Sequence, residues 1–184
     1  MLEIVRAHGP SDQPVKILDV GTGTGCLLIT LLAELPAATG VGTDISADAL
    51  RTAASNAVRC GVSDRATWRQ GRSLESINET FDLLVSNPPY IPSGEISTLE
   101  AEVRLFDPEV ALDGGPDGMD IYREIARDAP GVVPDGHIVL EVGLGQHINV
   151  GEILKKSFLA AIALETKYYM DLAGHVRCVA MRTR

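Results

Sequence analysis

The chain has 184 residues, which corresponds to about one domain. Its composition, 45% hydrophobic and 22% charged, is typical of a globular protein and excludes disordered and collagen-like chains. The 25 acidic residues outnumber the 16 basic residues, giving a net charge of −9 that repels phosphate backbones and anionic lipids. Charge therefore disfavours nucleic acid as a partner.

Targeting, membrane and metal signals are missing from the sequence. The longest apolar stretch, Cys26 to Ala33, is far shorter than the roughly 18 residues that a membrane-spanning helix needs. The first residues, Met1 to Arg6, lack the basic and apolar regions of a signal peptide. The three cysteines and four histidines are too scattered for a disulfide framework or a metal site. We expect a cytoplasmic protein without a membrane contact or a metal.

From Val15 onward, short β-branched runs alternate with segments of helical period, which is typical of a parallel sheet covered by helices. The predicted strands are residues 15–20, 40–44, 66–70, 81–86, 137–142, 163–169 and 176–181. The predicted helices are one that ends before Pro36, one from the N-cap Ser46 to Gly61, and residues 120–129 and 150–159. The sequence therefore predicts a doubly wound α/β domain with a mostly parallel sheet.

A long excursion, residues 87–118, interrupts this alternation. Excursions of this length inside a compact domain are usually functional or disordered. We interpret its acidic part, residues 95–109, as a solvated lid or loop. Trp68, in the third strand, is interpreted as a packing residue.

A glycine-rich loop, Gly21-Thr22-Gly23-Thr24-Gly25, follows the first strand directly. Bare backbone at these positions lets a ligand approach closely. The third glycine comes one residue earlier than in the dinucleotide motif, and no Lys-Ser or Lys-Thr pair of a P-loop follows. Asp44 comes 23 residues after Gly21, at the carboxyl end of the second strand, where a carboxylate accepts both hydroxyls of a ribose. Loop and carboxylate together predict a nucleoside cofactor, and Asp19 is interpreted as a brace for the loop amides.

The fourth strand ends in Ser86-Asn87-Pro88-Pro89-Tyr90, at the same sheet edge as the glycine loop if the strands are parallel. Two prolines stiffen the backbone and remove its N–H donors. The Asn87 side-chain oxygen and the Pro88 carbonyl suit the two hydrogens of a planar NH₂ group, and Tyr90 packs over its plane. The turn carries no strong base, nucleophile or metal ligand. It therefore favours transfer onto an amide or aromatic amine nitrogen by positioning and fixed dipoles.

Three segments resemble S-adenosylmethionine-dependent methyltransferases that modify nitrogen: DVGTGTG (residues 19–25), TDIS (43–46) and FDLLVSNPPYIP (81–92). The NPPY turn alone is shared with DNA adenine methyltransferases. Three further segments resemble the HemK-type protein glutamine methyltransferases: EVRLFDPEVALDGGPDGMDIYREI (102–125), LEVG (140–143) and DLAGHVR (171–177). That family methylates the side-chain amide of the glutamine in the Gly-Gly-Gln motif of peptide chain release factors.

The resemblance implies a class I, Rossmann-like methyltransferase catalytic domain over residues 15–184, after a lead-in of residues 1–14. It implies S-adenosylmethionine as cofactor, S-adenosylhomocysteine as product and a release factor as protein substrate. The implied catalytic residues are Asn87, Pro88 and Tyr90, and the substrate site adds Pro89. The implied cofactor-binding residues are Gly21, Thr22, Gly23, Thr24, Gly25, Asp44, Arg72, Ser73 and Asn87.

The sequence departs from the family at two places. Gly71-Arg72-Ser73 stands where the family has Gly-Asp and then an aromatic residue or leucine near the adenine. We also expect the family's N-terminal helical domain, which helps dock the release factor, to be missing.

Two alternatives stay open. An adenine methyltransferase acting on DNA or RNA would use a similar planar NH₂ group, although the net charge and the lack of a target-recognition domain count against it. A cofactor-binding domain without activity is suggested by Arg72, Ser73 and the missing N-terminal unit.

Overall fold

The structure, a computed structural model, describes residues 14–158 and 165–184. Its centre is a seven-stranded sheet in the order β3-β2-β1-β4-β5-β7-β6. The strands are β1 Lys16–Val20, β2 Thr39–Asp44, β3 Ala66–Gln70, β4 Leu83–Ser86, β5 His137–Glu141, β6 Thr166–Met170 and β7 Val176–Arg182. The helices are α1 Cys26–Glu34, α2 Ala47–Arg59, α3 Ala101–Phe106, α4 Asp120–Val132 and α5 His147–Ser157.

Strands β1 to β5 run parallel, and β7 is antiparallel to both of its neighbours, so the predicted doubly wound, mostly parallel sheet is confirmed. The strand order reverses between β1 and β4. In such sheets the crevice outside the carboxyl ends of the strands at this reversal is the usual ligand site. Val20 pairs with both Thr43 and Ser86, so the segments after β1, β2 and β4 emerge side by side.

The alternation of buried side chains builds one apolar core on each face of the sheet. In β4, Leu83 and Val85 pack with α1, while Leu84 packs with α4 and α5 on the other face. Successive side chains of a strand point to opposite faces, so a central strand covered on both sides is apolar throughout. This confirms β4 as a central strand.

The predicted ends of α2 are confirmed. The Ser46 hydroxyl accepts a hydrogen bond from the Ala49 amide at 3.2 Å, as an N-cap residue does. Gly61 follows the last turn with φ of 70°, the left-handed conformation that ends many helices. Trp68 packs against Gly25 and Gly42, which confirms it as a packing residue.

Other boundaries differ from the predicted ones. β4 begins at Leu83 instead of residue 81, although Phe81 is buried at its entry. α4 continues through Pro130 to Val132, and α5 begins at His147 instead of residue 150. The sixth strand was predicted from residue 163, but residues 163 and 164 lie outside the described residues. Among the described residues, β6 starts at Thr166.

The excursion over residues 87–118 contains three short helical segments that the sequence analysis did not predict. They are α3 and two 3₁₀ helices, Ser93–Thr98 and Glu109–Ala111. In the described ranges, no helix is long and apolar enough to cross a bilayer.

Candidate active site

An open cavity of about 190 Å³ lies at the carboxyl edge of the sheet, beside the reversal between β1 and β4. Eight of the predicted site residues line it: Gly21, Gly23, Asp44, Arg72, Ser73, Asn87, Pro88 and Pro89.

The glycine loop presents bare backbone to this cavity. Gly21 and Gly23 have φ of 68° and 55°, a conformation that disfavours residues with a Cβ. A Cβ at either position would meet no heavy atom within 4 Å, so that space is open to a ligand. Gly25 differs, because its Cβ would lie 2.8 Å from Ile29 Cδ1. Gly25 therefore allows close packing inside the domain.

Asp44 is held rigidly at the cavity wall. Its Oδ2 accepts a hydrogen bond from the Gly23 amide at 2.9 Å, and its Oδ1 accepts one from the Ser46 amide at 2.9 Å. Each carboxylate oxygen has a second lone pair. The half-buried side chain can therefore accept further hydrogen bonds, as a ribose diol would require.

Asp19 lies behind the glycine loop and is only 1% exposed. Its Oδ2 accepts hydrogen bonds from the Thr22 hydroxyl at 2.6 Å and the Leu28 amide at 3.3 Å. Its partners are thus a side-chain hydroxyl and an amide of α1, not the loop amides that the sequence analysis expected. Burial raises the pKa of Asp19 to about 7, because the charged carboxylate loses its hydration.

The segment after β3 forms the opposite wall. Arg72 donates through Nε and Nη2 to the carboxylate of Glu124 on α4, with a shortest distance of 2.8 Å. Ser73 has φ of 50°, and its buried hydroxyl has no hydrogen-bond partner among the described residues. Buried hydroxyls are normally hydrogen-bonded, so the Ser73 hydroxyl is an exception at this wall.

The turn Asn87-Pro88-Pro89-Tyr90 is fixed against the end of β1. The Ser86 hydroxyl donates a hydrogen bond to the Val20 carbonyl at 2.6 Å, which joins the last residues of the two central strands. Asn87 is exposed at the cavity, and Pro88 is buried beside it. The amide side chain and the glycine loop therefore face one shared space.

Two residues far along the chain donate hydrogen bonds to Tyr90, one to its backbone and one to its side chain. Gln146 Nε2 donates to the Tyr90 carbonyl at 2.8 Å, and Gln146 Oε1 accepts from the Gly143 amide at 2.9 Å. Arg177 Nη2 donates to the Tyr90 hydroxyl at 3.1 Å. No sequence motif predicted a site role for Gln146 or Arg177, although Arg177 ends the DLAGHVR segment and Gln146 follows LEVG closely.

The excursion closes the remaining side of the cavity. Ile91 pairs with Asp113, and Asp113 Oδ1 accepts hydrogen bonds from the Ser93 hydroxyl at 2.7 Å and the Gly115 amide at 2.8 Å. These bonds hold the pKa of Asp113 below its ordinary value. Asp113 and the 3₁₀ helix residues Val110 and Ala111 line the cavity; all three lie in the segment 102–125 that resembles the HemK-type family, but none of them was predicted as a site residue.

Four predicted site residues contribute nothing to the described cavity wall: Thr22, Thr24, Gly25 and Tyr90. Thr22 faces Asp19, and the Thr24 carbonyl accepts a hydrogen bond from Asn56 Nδ2 at 3.0 Å. Their direct contact with a cofactor or substrate stays a prediction. Within residues 14–158 and 165–184, His, Cys, Asp and Glu side chains form no group of three arranged to hold a metal ion.

Curated relatives cover this chain almost completely. The release factor glutamine methyltransferase of Bradyrhizobium diazoefficiens is 45% identical over 182 residues, which are 98% of this chain and 60% of that protein. The release factor glutamine methyltransferase of Rhodospirillum rubrum is 44% identical over 170 residues, 92% of this chain and 51% of that protein. The chain therefore spans between about half and three-fifths of the length of these relatives.

Solved structures share the fold at low sequence identity. The ribosomal protein L11 methylase of Lactobacillus delbrueckii subsp. bulgaricus has a TM-score of 0.68 at 20% identity, covering 100% of this chain and 77% of that chain. A methyltransferase from Pyrococcus furiosus has a TM-score of 0.65 at 12% identity, covering 99% and 80%. These likenesses confirm the predicted methyltransferase fold.

The profile of the Methyltransferase small domain family matches residues 4–108, more than half of the 184-residue chain. That range includes the glycine loop, Asp44 and the NPPY turn, the three parts that surround the cavity. The chain belongs to the Methyltransferase small domain family.

Proposed function

We propose that this chain transfers a methyl group from S-adenosylmethionine to the side-chain amide nitrogen of the glutamine in the Gly-Gly-Gln motif of a peptide chain release factor. The observation that carries the proposal is the shared cavity, in which Asn87 faces the same space as Gly21, Gly23 and Asp44. The names of the two curated relatives support the choice of a release factor as the substrate.

The cavity suits S-adenosylmethionine at several points. Gly21 and Gly23 leave room for the methionine part, and the fixed carboxylate of Asp44 accepts hydrogen bonds from the ribose hydroxyls. Arg72 and Ser73 line the wall after β3, where the adenine end would lie. When bound, this cofactor would supply a methyl group from a positively charged sulfur. The S–CH₃ bond breaks and leaves the neutral thioether of S-adenosylhomocysteine, while the amide nitrogen gains the methyl group and loses one proton to solvent water.

The substrate amide lies against the NPPY turn. Asn87 Oδ1 and the Pro88 carbonyl accept its two N–H hydrogens, which aims the nitrogen into the cavity. An amide nitrogen is a weak nucleophile because its lone pair is delocalised. The described cavity wall carries no His, Cys or Lys, so the residues act by positioning and by fixed dipoles that stabilise developing positive charge.

The test is transfer of a labelled methyl group to an intact release factor and to a variant whose Gly-Gly-Gln glutamine is replaced by alanine. We expect label on the intact protein only. Asn87→Ala should lower kcat by about a hundredfold or more, since an oriented hydrogen-bond acceptor is lost, and should change the cofactor Kd far less.

Other outcomes overturn the proposal. Equal labelling of both release factors would place the methyl group elsewhere. Labelling of an oligonucleotide that weakens steeply with salt would support the adenine methyltransferase. Cofactor binding without any product would indicate an inactive domain.

A further inference from the structure

We propose that Arg177 is a positioning residue that sets the orientation of the Tyr90 ring, and through it the plane on which the substrate amide lies. The inference rests on the proposed function in one respect, because the amide is the group that Tyr90 would face. It connects a residue of β7, the second strand from β4 in the sheet, to the turn that follows β4. No motif of the sequence analysis connected the two.

The sheet brings Arg177 to the turn. β7 runs antiparallel to β5, and Cys178 pairs with Glu141, the last residue of β5. The pairing continues one residue past the end of β5, since the Val142 amide donates a hydrogen bond to the Arg177 carbonyl at 3.0 Å. Arg177 therefore stands at the carboxyl edge, where the NPPY turn also lies.

The guanidinium contacts Tyr90 in two ways. Nη2 donates to the phenol oxygen at 3.1 Å, and the guanidinium carbon lies 5.6 Å from the centroid of the ring. Within the described part of the chain, Arg177 forms no salt bridge, and Tyr90 is the acceptor of its side-chain hydrogen bond. The half-buried guanidinium also interacts electrostatically with the Asp171 carboxylate, but its side-chain hydrogen bond and its ring contact are both made with Tyr90.

The other end of Tyr90 is already fixed. Gln146 bridges the Tyr90 carbonyl and the Gly143 amide, at 2.8 Å and 2.9 Å. Two glycines make room for this bridge: a Cβ at Gly143 would lie 2.7 Å from Gln146 Oε1, and one at Gly118 would lie 2.8 Å from Gln146 Nε2. Because the backbone is held by Gln146, the remaining freedom of Tyr90 is the rotation of its side chain, which Arg177 restrains.

The main experiment measures methyl transfer to the release factor with Arg177→Gln, Arg177→Lys, Tyr90→Phe and the double variant Arg177→Gln with Tyr90→Phe. Arg177→Gln should lower kcat about tenfold to a hundredfold, as expected when a reacting group is misplaced by about 1 Å. Arg177→Lys, which keeps a cationic donor, should recover part of the loss. The Kd for S-adenosylhomocysteine should change less than about twofold, because the cofactor contacts lie on other strands and loops.

The double variant tests whether Arg177 affects kcat through the Tyr90 hydroxyl. If Arg177 acts through the Tyr90 hydroxyl, adding Arg177→Gln to Tyr90→Phe should cost less than about a further twofold in kcat. Multiplicative losses would overturn the proposal, as would an unchanged kcat in Arg177→Gln. Arg182→Gln is the matched control, since Arg182 is exposed at the opposite end of β7 and should leave kcat unchanged.

A spectroscopic readout separates this inference from the proposed function. The Raman Fermi doublet of tyrosine reports whether the phenol oxygen accepts a strong hydrogen bond. Arg177→Gln should shift the doublet ratio in the native background and leave it unchanged in the Tyr90→Phe background. An unshifted doublet would overturn the inference. Absence of methyl transfer by the native chain, with a shifted doublet, would overturn the proposed function alone.

Discussion

Asp19 carries a buried carboxyl group directly behind the glycine loop, and its surroundings make its ionisation costly. One oxygen accepts two hydrogen bonds, from Thr22 and Leu28, and the other has no partner among the described residues. Burial outweighs these bonds and raises the pKa from the ordinary 3.8 to about 7. The protonated carboxyl therefore persists in the folded protein at a pH where the unfolded chain has already lost the proton.

This shift predicts a pH-dependent stability. Because the folded state holds the proton more tightly, the contribution of Asp19 is greatest below about pH 4 and is lost as the pH rises toward about 7. The loss is of the order of a few kcal/mol. Asp19→Asn should flatten the dependence of the urea unfolding free energy on pH between these values.

The same substitution at the exposed Asp64 controls for removal of a formal charge. If the Asp19→Asn and native proteins keep the same slope against pH, Asp19 does not titrate as described.

At the scale of elements, the excursion after β4 is built onto the NPPY turn. Ile91 exchanges backbone hydrogen bonds with Leu112 and Gly114, at 3.0 Å and 2.9 Å, so the two ends of the excursion are joined. Gly114 is packed tightly at this junction. A Cβ there would lie 2.9 Å from the Pro89 carbonyl oxygen and 2.9 Å from the Tyr90 Cα, and backbone atoms cannot move aside cheaply.

Gly114→Ala should therefore displace the NPPY turn. We expect a loss of about 1–3 kcal/mol in unfolding free energy, the usual cost of overpacking, and a fall in kcat of about tenfold or more. Gly94→Ala is the matched control in the same excursion, since a Cβ at Gly94 meets nothing within 4 Å. Equal kcat values for the two variants would show that the junction does not position the turn. Urea unfolding and initial-rate kinetics measure both quantities.

At the scale of the whole molecule, the reversal of strand order brings segments that are far apart in sequence together around one cavity. Asp44 ends β2, Ser73 follows β3 and Asn87 follows β4, yet all three line one cavity. A ligand that bridges these segments binds only the folded chain. It must therefore stabilise the fold by mass action.

S-adenosylhomocysteine at roughly 100 times its Kd should raise the unfolding free energy by about 2.7 kcal/mol. Asp44→Ala should lose most of this increment at the same ligand concentration, because the proposed ribose acceptor is gone. Asp48→Ala, an exposed position on α2 outside the cavity, should keep it. The measurement is urea unfolding with and without the ligand, and an undiminished increment in Asp44→Ala would remove Asp44 from the cofactor site.

The sequence by itself determined the fold class, the strands and the two turns that line the cavity. These features depend on local physics: continuous apolar runs predict buried strands, Ser46 caps its own helix, and glycines or prolines mark backbone that must turn sharply or stay bare. Only the tertiary structure decided which other residues contact those turns or line the cavity beside them. Gln146, Arg177 and Asp113 reach the site because strand order and excursion packing bring them there, and no local pattern in the chain encodes contacts across so many residues.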